Sequence, residues 1–228
     1  MTESLIDGAA LWASCPQLSN IHASTDGRWA FWCWQGVTET DDVWCAPMDG
    51  SSPPRRLTHG SDHFLIRDVT PDGSRLLLAQ SIHANEHDHL LLLDRESGML
   101  DQLTPTQSTH YVYGGCFSAD GTRVFFQADF DYAADKVTQG SWLWQLDLVS
   151  GEKTCLARAD PPPHYYVGPR LSPDGTRLLW HRSEGAPGLY QLWIVGTDGS
   201  NPHEALNLGP TNSATGTWIS NDRIAFVG

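Results

Sequence analysis

One turn phrase recurs along this chain at nearly even spacing, and it constrains the fold more than any other feature. It reads "ASTDGRWAFWCW" from Ala23, "VTPDGSRLLLAQ" from Val69, "CFSADGTRVFFQA" from Cys116 and "LSPDGTRLLWHR" from Leu171. A shortened form, "WISNDRIAFVG", closes the sequence from Trp218. Measured at the turn aspartates Asp26, Asp72, Asp120, Asp174 and Asp222, the intervals are 46, 48, 54 and 48 residues. Self-similarity at such a period marks a solenoid, a propeller or an array.

The fourth repeat shows the unit most clearly. "VGPRLS" leads into the turn "SPDG", where Pro173 presets the backbone and Gly175 allows a positive φ. "TRLLWHR" reads as a second strand, "SEGAPG" as a loop, "LYQLWIVGT" as a third strand, "DGSN" as a turn and "PHEALNL" as a shorter fourth strand. The other repeats follow the same grammar. Their second strands, "WAFWCW", "RLLLAQ" and "RVFFQA", are near-continuous apolar runs where a strand with one wet face would alternate. Sheets stacked radially cover both faces of their middle strands.

The expectation is therefore an all-β protein, a β-propeller of four-stranded antiparallel blades in the WD40-like and TolB-like manner, with Trp and Phe filling the space between blades. About four and a half blades are present, so the ring is expected to be incomplete. The approximate repeats are 20–62, 63–109, 110–163, 164–210 and a partial 211–228, after a lead-in of residues 1–19. A β-sandwich also supplies short strands and frequent turns, but it does not make one turn phrase recur at this period. The third repeat is longest because "DFDYAADKVTQGS", from Asp129, extends the loop between its second and third strands.

Composition narrows the function classes. With 14 Lys and Arg against 27 Asp and Glu, the formal charge is −13. That excludes a basic nucleic-acid footprint and a polybasic membrane surface. Cys15, Cys33, Cys45, Cys116 and Cys155 are odd in number, scattered and without a C-x-x-C pair, as expected of buried free thiols in a reducing compartment. The first 20 residues lack the basic and the sustained apolar regions of a signal peptide, and no run approaches the length of a membrane span. The expected location is the cytoplasm.

The phrases "LSNIHASTDGRWAFWCWQG", "VWCAPMDGSSPPRRLTHG" and "LSPDGTRLLWHR…LWIVGTDGSN" together resemble the N-terminal propeller of the prolyl oligopeptidase family of serine peptidases, including its acylaminoacyl-peptidase and dipeptidyl-peptidase-like members. The resemblance runs from about Leu18 to the last residue. It implies a lid that gates and size-filters short peptides on their way to an α/β-hydrolase domain, which would follow in the parent chain and hold the Ser, Asp and His of catalysis. No G-x-S-x-G elbow occurs in this sequence, so no catalytic residue is carried over and the chain alone is expected not to hydrolyse peptides. By the same resemblance, Asn85 and Glu86 become candidates for holding the free amino group of a peptide, a carboxylate being the right partner for an ammonium. The "PDG…LW…DG" grammar also occurs in TolB and other WD40-like propellers, which leaves a stand-alone scaffold for protein–protein interaction as the alternative. A third reading is a polysaccharide lyase with a metal held by histidines from several blades, such as His22, His63, His110 and His164.

Other local features have plainer readings. "SIHANEHDHLLLL" gathers His83, Glu86, His87, Asp88 and His89, but the spacing fits no zinc pattern and reads as a solvated loop. "DFDYAADK" lacks the Gly and terminal Glu of a calcium loop. "SGEKT" lacks the rest of a phosphate loop, and "DPPPHYY" reads as a stiff inter-blade linker. No metal and no cofactor is called for. An open last sheet would leave an edge through which the chain self-associates.

Overall fold

The computed structural model describes residues 17–35, 40–60, 62–82, 87–105, 110–162, 167–183, 185, 188–210 and 215–227. Within them the chain is all β, with no α-helix. Four four-stranded antiparallel sheets follow one another in sequence. The first is β1 (Gln17–Ala23), β2 (Trp29–Gln35), β3 (Asp42–Pro47) and β4 (Arg55–Arg56). The second is β5 (His63–Val69), β6 (Arg75–Ser81), β7 (His89–Asp94) and β8 (Leu100–Gln102). The third is β9 (Val112–Phe117), β10 (Arg123–Asp131), β11 (Lys136–Asp147) and β12 (Lys153–Ala157). The fourth is β13 (Arg170–Leu171), β14 (Arg177–Arg182), β15 (Leu189–Gly196) and β16 (His203–Pro210). A two-stranded sheet of β17 (Thr215–Ser220) and β18 (Arg223–Val227) comes last. Neighbours in every sheet are consecutive in sequence, the meander of a propeller blade.

The repeated phrase is a small hydrogen-bonded device. Two residues before each turn Asp stands a Ser or Thr whose hydroxyl donates to that carboxylate: Ser24 to Asp26 at 2.6 Å, Thr70 to Asp72 at 2.9 Å, Ser118 to Asp120 at 2.5 Å, Ser172 to Asp174 at 2.6 Å and Ser220 to Asp222 at 2.6 Å. In the first four, the same hydroxyl accepts the amide that opens the second strand, from Trp29, Arg75, Arg123 and Arg177. The carboxylate also accepts the amide two residues on, from Arg28, Ser74, Thr122 and Thr176. These bonds hold Asp72, Asp120 and Asp174 at a pKa of about 2. The serine hydroxyl is the larger cause at Asp120 and Asp174, and the Ser74 amide at Asp72. The glycine after each of the first four aspartates takes a left-handed φ of 66–73°, which only glycine adopts freely.

Ser118→Ala tests the device. Beside the buried Ser118, the Arg123 amide loses its acceptor and Asp120 loses a donor, so unfolding should require about 1–2 kcal/mol less. The urea midpoint should fall while the slope stays constant, because the surface exposed on unfolding is the same.

Successive residues of each second strand enter different cores. Leu76 and Leu78 pack with Phe31, Cys33, Val43 and Cys45 between blades one and two. Leu77 and Ala79 pack with Val124, Phe126 and Trp144 between blades two and three. Phe125 joins Leu143, Leu178 and Trp180 between blades three and four. Strand side chains alternate faces, so a strand sandwiched between two cores must be apolar at every position. Arginines three residues beyond the turn Asp add ties between blades. Arg75 donates to the Gly121 carbonyl at 2.6 Å, and Arg177 reaches the Asn221 carbonyl of the last sheet.

Polar side chains seven residues beyond the turn Asp form a second seam. The Cys33 thiol donates to the Phe64 carbonyl at 3.3 Å, and Gln127 Nε2 to the His181 carbonyl at 3.1 Å. His181 Nε2 in turn accepts the Gly216 amide at 3.0 Å. The equivalent residue of blade two is Ala79, which makes no such bond.

Three details differ from the sequence reading. The long insertion of the third repeat is mostly strand, since β10 runs to Asp131, β11 begins at Lys136, and Phe130 pairs with Val137. Asp131 makes the short connection possible by accepting the Ala133 and Ala134 amides. The fourth strand of blade four, β16, spans eight residues and is not short. Finally, among the described tryptophans only Trp144 and Trp180 are fully buried. Trp32, Trp34 and Trp44 fall on the opposite phase from Phe31, Cys33, Val43 and Cys45, on the face of blade one turned away from blade two.

Candidate functional site: the axial channel

The first strand of each sheet lies innermost, and contacts run in order β1 to β5, β5 to β9, β9 to β13 and β13 to β17. These strands wall a cavity of about 870 Å³. The residue four positions before each turn Asp faces it: His22, Asp68, Cys116, Arg170 and Trp218, one from each sheet.

Irregularities in the inner strands bring these side chains to the axis. β1 bulges between Ser19 and His22, with Asn20 at a φ of 51°. That turn aims the Asn20 side-chain oxygen at blade two, where it accepts the Ile66 amide. β5 bulges between Ile66 and Asp68, and Asp68 repeats the device one blade on, accepting the Phe117 amide at 2.7 Å as well as the Val69 amide at 2.8 Å. Between blades three and four there is no room for a side chain. A Cβ placed on Gly168 would stand 2.6 Å from the Gly114 Cα. The last tie is Trp218 Nε1, which donates to the Arg170 carbonyl at 3.0 Å.

The electrostatics follow from this packing. Burial pushes the Asp68 carboxyl up, and the Phe117 and Val69 amides and the charge of Arg170 oppose that shift. Burial pulls His22 down, with Arg170 adding in the same direction against a hydrogen bond to the Ile66 backbone. The Cys116 thiol is raised by burial and then by Asp68, so it stays protonated and is a poor nucleophile. Cys33 is pushed up to about 11, again mainly by burial. Cys33, Cys45, Cys116 and Cys155 are all free thiols, as the sequence suggested.

Asn85 and Glu86 lie outside the described residues, as do His83 and His164. The described members of the His-rich stretch turn to separate partners. His87 stacks on Tyr111 with ring centroids 4.3 Å apart, Asp88 pairs with Arg67 at 2.7 Å, and His89 bonds Gln80 at 2.9 Å. Of the histidines considered for a metal, His22 lines the channel, His63 faces Asp41 at 3.3 Å, and His110 stacks on Phe130 at 4.1 Å. They do not converge. Asp129 is also used internally, accepting the Tyr111 amide at 2.6 Å. The sequence points to Cys116 only as a buried thiol and marks none of Asp68, Cys116, Arg170 and Trp218 as a channel residue. Aligning the repeats on the turn Asp and reading the column four places earlier would have found them together.

No family model matches the chain, and neither does any curated protein. Solved structures do match. A TolB protein from Agrobacterium tumefaciens superposes with a TM-score of 0.62 at 16% identity, over 83% of this chain and 65% of that one. An oligogalacturonate lyase from Vibrio parahaemolyticus gives 0.64 at 15% identity, over 92% of this chain and 59% of that one. A structure from a study of two prolyl endopeptidases gives 0.68 at 12% identity, over 93% of this chain and 32% of that one. The chain thus spans less than two thirds of the length of each. At these identities the likeness shows the β-propeller fold and no more, since one fold carries many functions.

Proposed function

We propose that this chain is the propeller portion of a prolyl-oligopeptidase-like serine peptidase, and that it gates and size-filters peptides for an α/β-hydrolase domain elsewhere in the parent protein. The observation that carries this reading is the axial cavity of about 870 Å³, walled by the innermost strands and lined by both polar and apolar residues. Its volume suits a small ligand or a short extended segment. With no G-x-S-x-G in the sequence, the reading assigns the chemistry to the partner domain. The substrates are short peptides, and the working environment is the cytoplasm.

The similarity to a TolB protein favours a second reading, a scaffold that presents its loops to a protein partner. Reading the coding sequence downstream of Gly228 decides between them. Under the peptidase reading it continues through further turn repeats into a strand–helix region carrying G-x-S-x-G. A stop codon there, or blades alone, removes the peptidase reading and leaves the scaffold.

A further inference from the structure

Three charged side chains line the axial channel among the described residues: Arg67, Asp68 and Arg170. Two have their charge answered. Arg67 pairs with Asp88 at 2.7 Å, and the Asp68 carboxylate accepts two backbone amides. Arg170 differs. Within the described residues its guanidinium makes no hydrogen bond and no ion pair, although its own carbonyl is held by Trp218. Its field nevertheless reaches His22, Asp68 and Cys116, on blades one, two and three. A charge on blade four felt by three other blades sits toward the common axis.

We infer that Arg170 is the anchor for a carboxylate in the axial channel, specifically the free C-terminal carboxylate of a short peptide. The inference rests on the peptide-filtering reading and names the end of the peptide that the channel holds. A guanidinium offers paired donors in a planar fork that matches a carboxylate. His22 is kept neutral by burial, so it neither adds to nor competes with that charge. Among the described residues Asp68 is the one acid of the channel lining, and its carboxylate is taken up by two backbone amides. The remaining acid of the chain acts weakly here, because at physiological salt charges beyond about 8 Å are largely screened. Trp218, beside Arg170 on the channel wall, supplies an apolar face for the last side chain of the peptide.

The test uses trialanine with a free C-terminus, trialanine amide and acetate as probes, titrated calorimetrically into the full chain and into Arg170→Gln and Arg170→Lys. The expected result is that trialanine binds the wild type at least tenfold more tightly than its amide. Arg170→Gln should abolish the difference between the two, and Arg170→Lys should keep part of it. Circular dichroism melts coinciding with wild type exclude misfolding of this exposed position. Equal binding of acid and amide, unaffected by Arg170→Gln, overturns the anchor while leaving a peptide channel in place. Acetate binding that depends on Arg170, with no gain for trialanine, upholds the anion site and overturns the peptide. If no probe binds, both are overturned.

Discussion

Gly168→Ala is expected to lower stability by about 3 kcal/mol, at the upper end of what overpacking costs. For a chain of this size that corresponds to a fall in Tm of about 6–12 °C. The new methyl would meet the Gly114 Cα at 2.6 Å, the Gly114 carbonyl carbon at 2.8 Å and the Gly115 nitrogen at 2.8 Å. All three are backbone atoms, so no side-chain rotation relieves the contact and the inner strands of blades three and four must move apart. Gly151→Ala is the matched control. Gly151 has a φ of 74° with nothing within 4 Å of the place a Cβ would take, so alanine there meets only backbone strain of about 1–2 kcal/mol. Thermal and urea unfolding of both variants separate the two costs. If Gly168→Ala proves no worse than Gly151→Ala, the close approach of the two inner strands is wrong, and with it the shape of the channel.

Acidification is expected to weaken the fold well before the turn carboxylates titrate. Burial holds His110 at about 4, with His87 adding to the shift and Asp135 opposing it. Burial also lowers His89, against Asp88 and Asp62, and it lowers His22. An unfolded histidine titrates near 6.5. Between about pH 6.5 and 4 the unfolded chain therefore binds protons that the folded chain refuses, and stability falls as the pH falls. His110 alone should contribute on the order of 2–3 kcal/mol across that window. Asp68 and Asp129, both raised by burial, act in the opposite direction once they protonate. Asp72, Asp120 and Asp174 add their loss only between about pH 4 and 2, and they are too exposed for it to be large. Urea unfolding at pH 7.5 and pH 5 should show the drop in wild type and a clearly smaller one in His110→Phe. An aromatic ring there keeps the stack on Phe130 and removes the titrating group. An unchanged pH dependence in His110→Phe would remove His110 as the cause.

The blade architecture is legible in the sequence because two independent signals agree. The turn phrase sets the period, and unbroken apolar runs such as "RLLLAQ" mark strands covered on both faces, which Leu76 through Ala79 fulfil by alternating between two cores. The insertion in repeat three reads as loop because polar residues such as Asp131 and Lys136 extend a hairpin as readily as they decorate a loop once the hairpin protrudes beyond the core. The tryptophans mislead for a different reason. Bulk indicates burial in general, but on β2 and β3 the phase of the strand decides which face receives it, and Trp32, Trp34 and Trp44 share the phase that points away from blade two. The channel residues do not stand out because nothing chemical links His22, Asp68, Cys116, Arg170 and Trp218. Only their common distance from the turn Asp does. The bulges at Asn20 and Asp68 carry no compositional mark beyond a side chain able to bond the neighbouring backbone.

The seam of Cys33, Gln127 and His181 means that the blades, though built to one plan, are not interchangeable parts. Three junctions use three different chemical keys, a thiol onto a carbonyl, an amide onto a carbonyl, and an imidazole nitrogen receiving an amide, while the junction after blade two, at Ala79, uses none. Transplanting blade three to the place of blade one would carry Gln127 to a site tailored to the smaller Cys33. Moving blade four inward would require its imidazole to find a donor that β17 supplies through Gly216. A chain built by repeating one unit has thereby acquired a fixed order, and shuffled versions of it should assemble poorly even though every unit retains its turn and its strands.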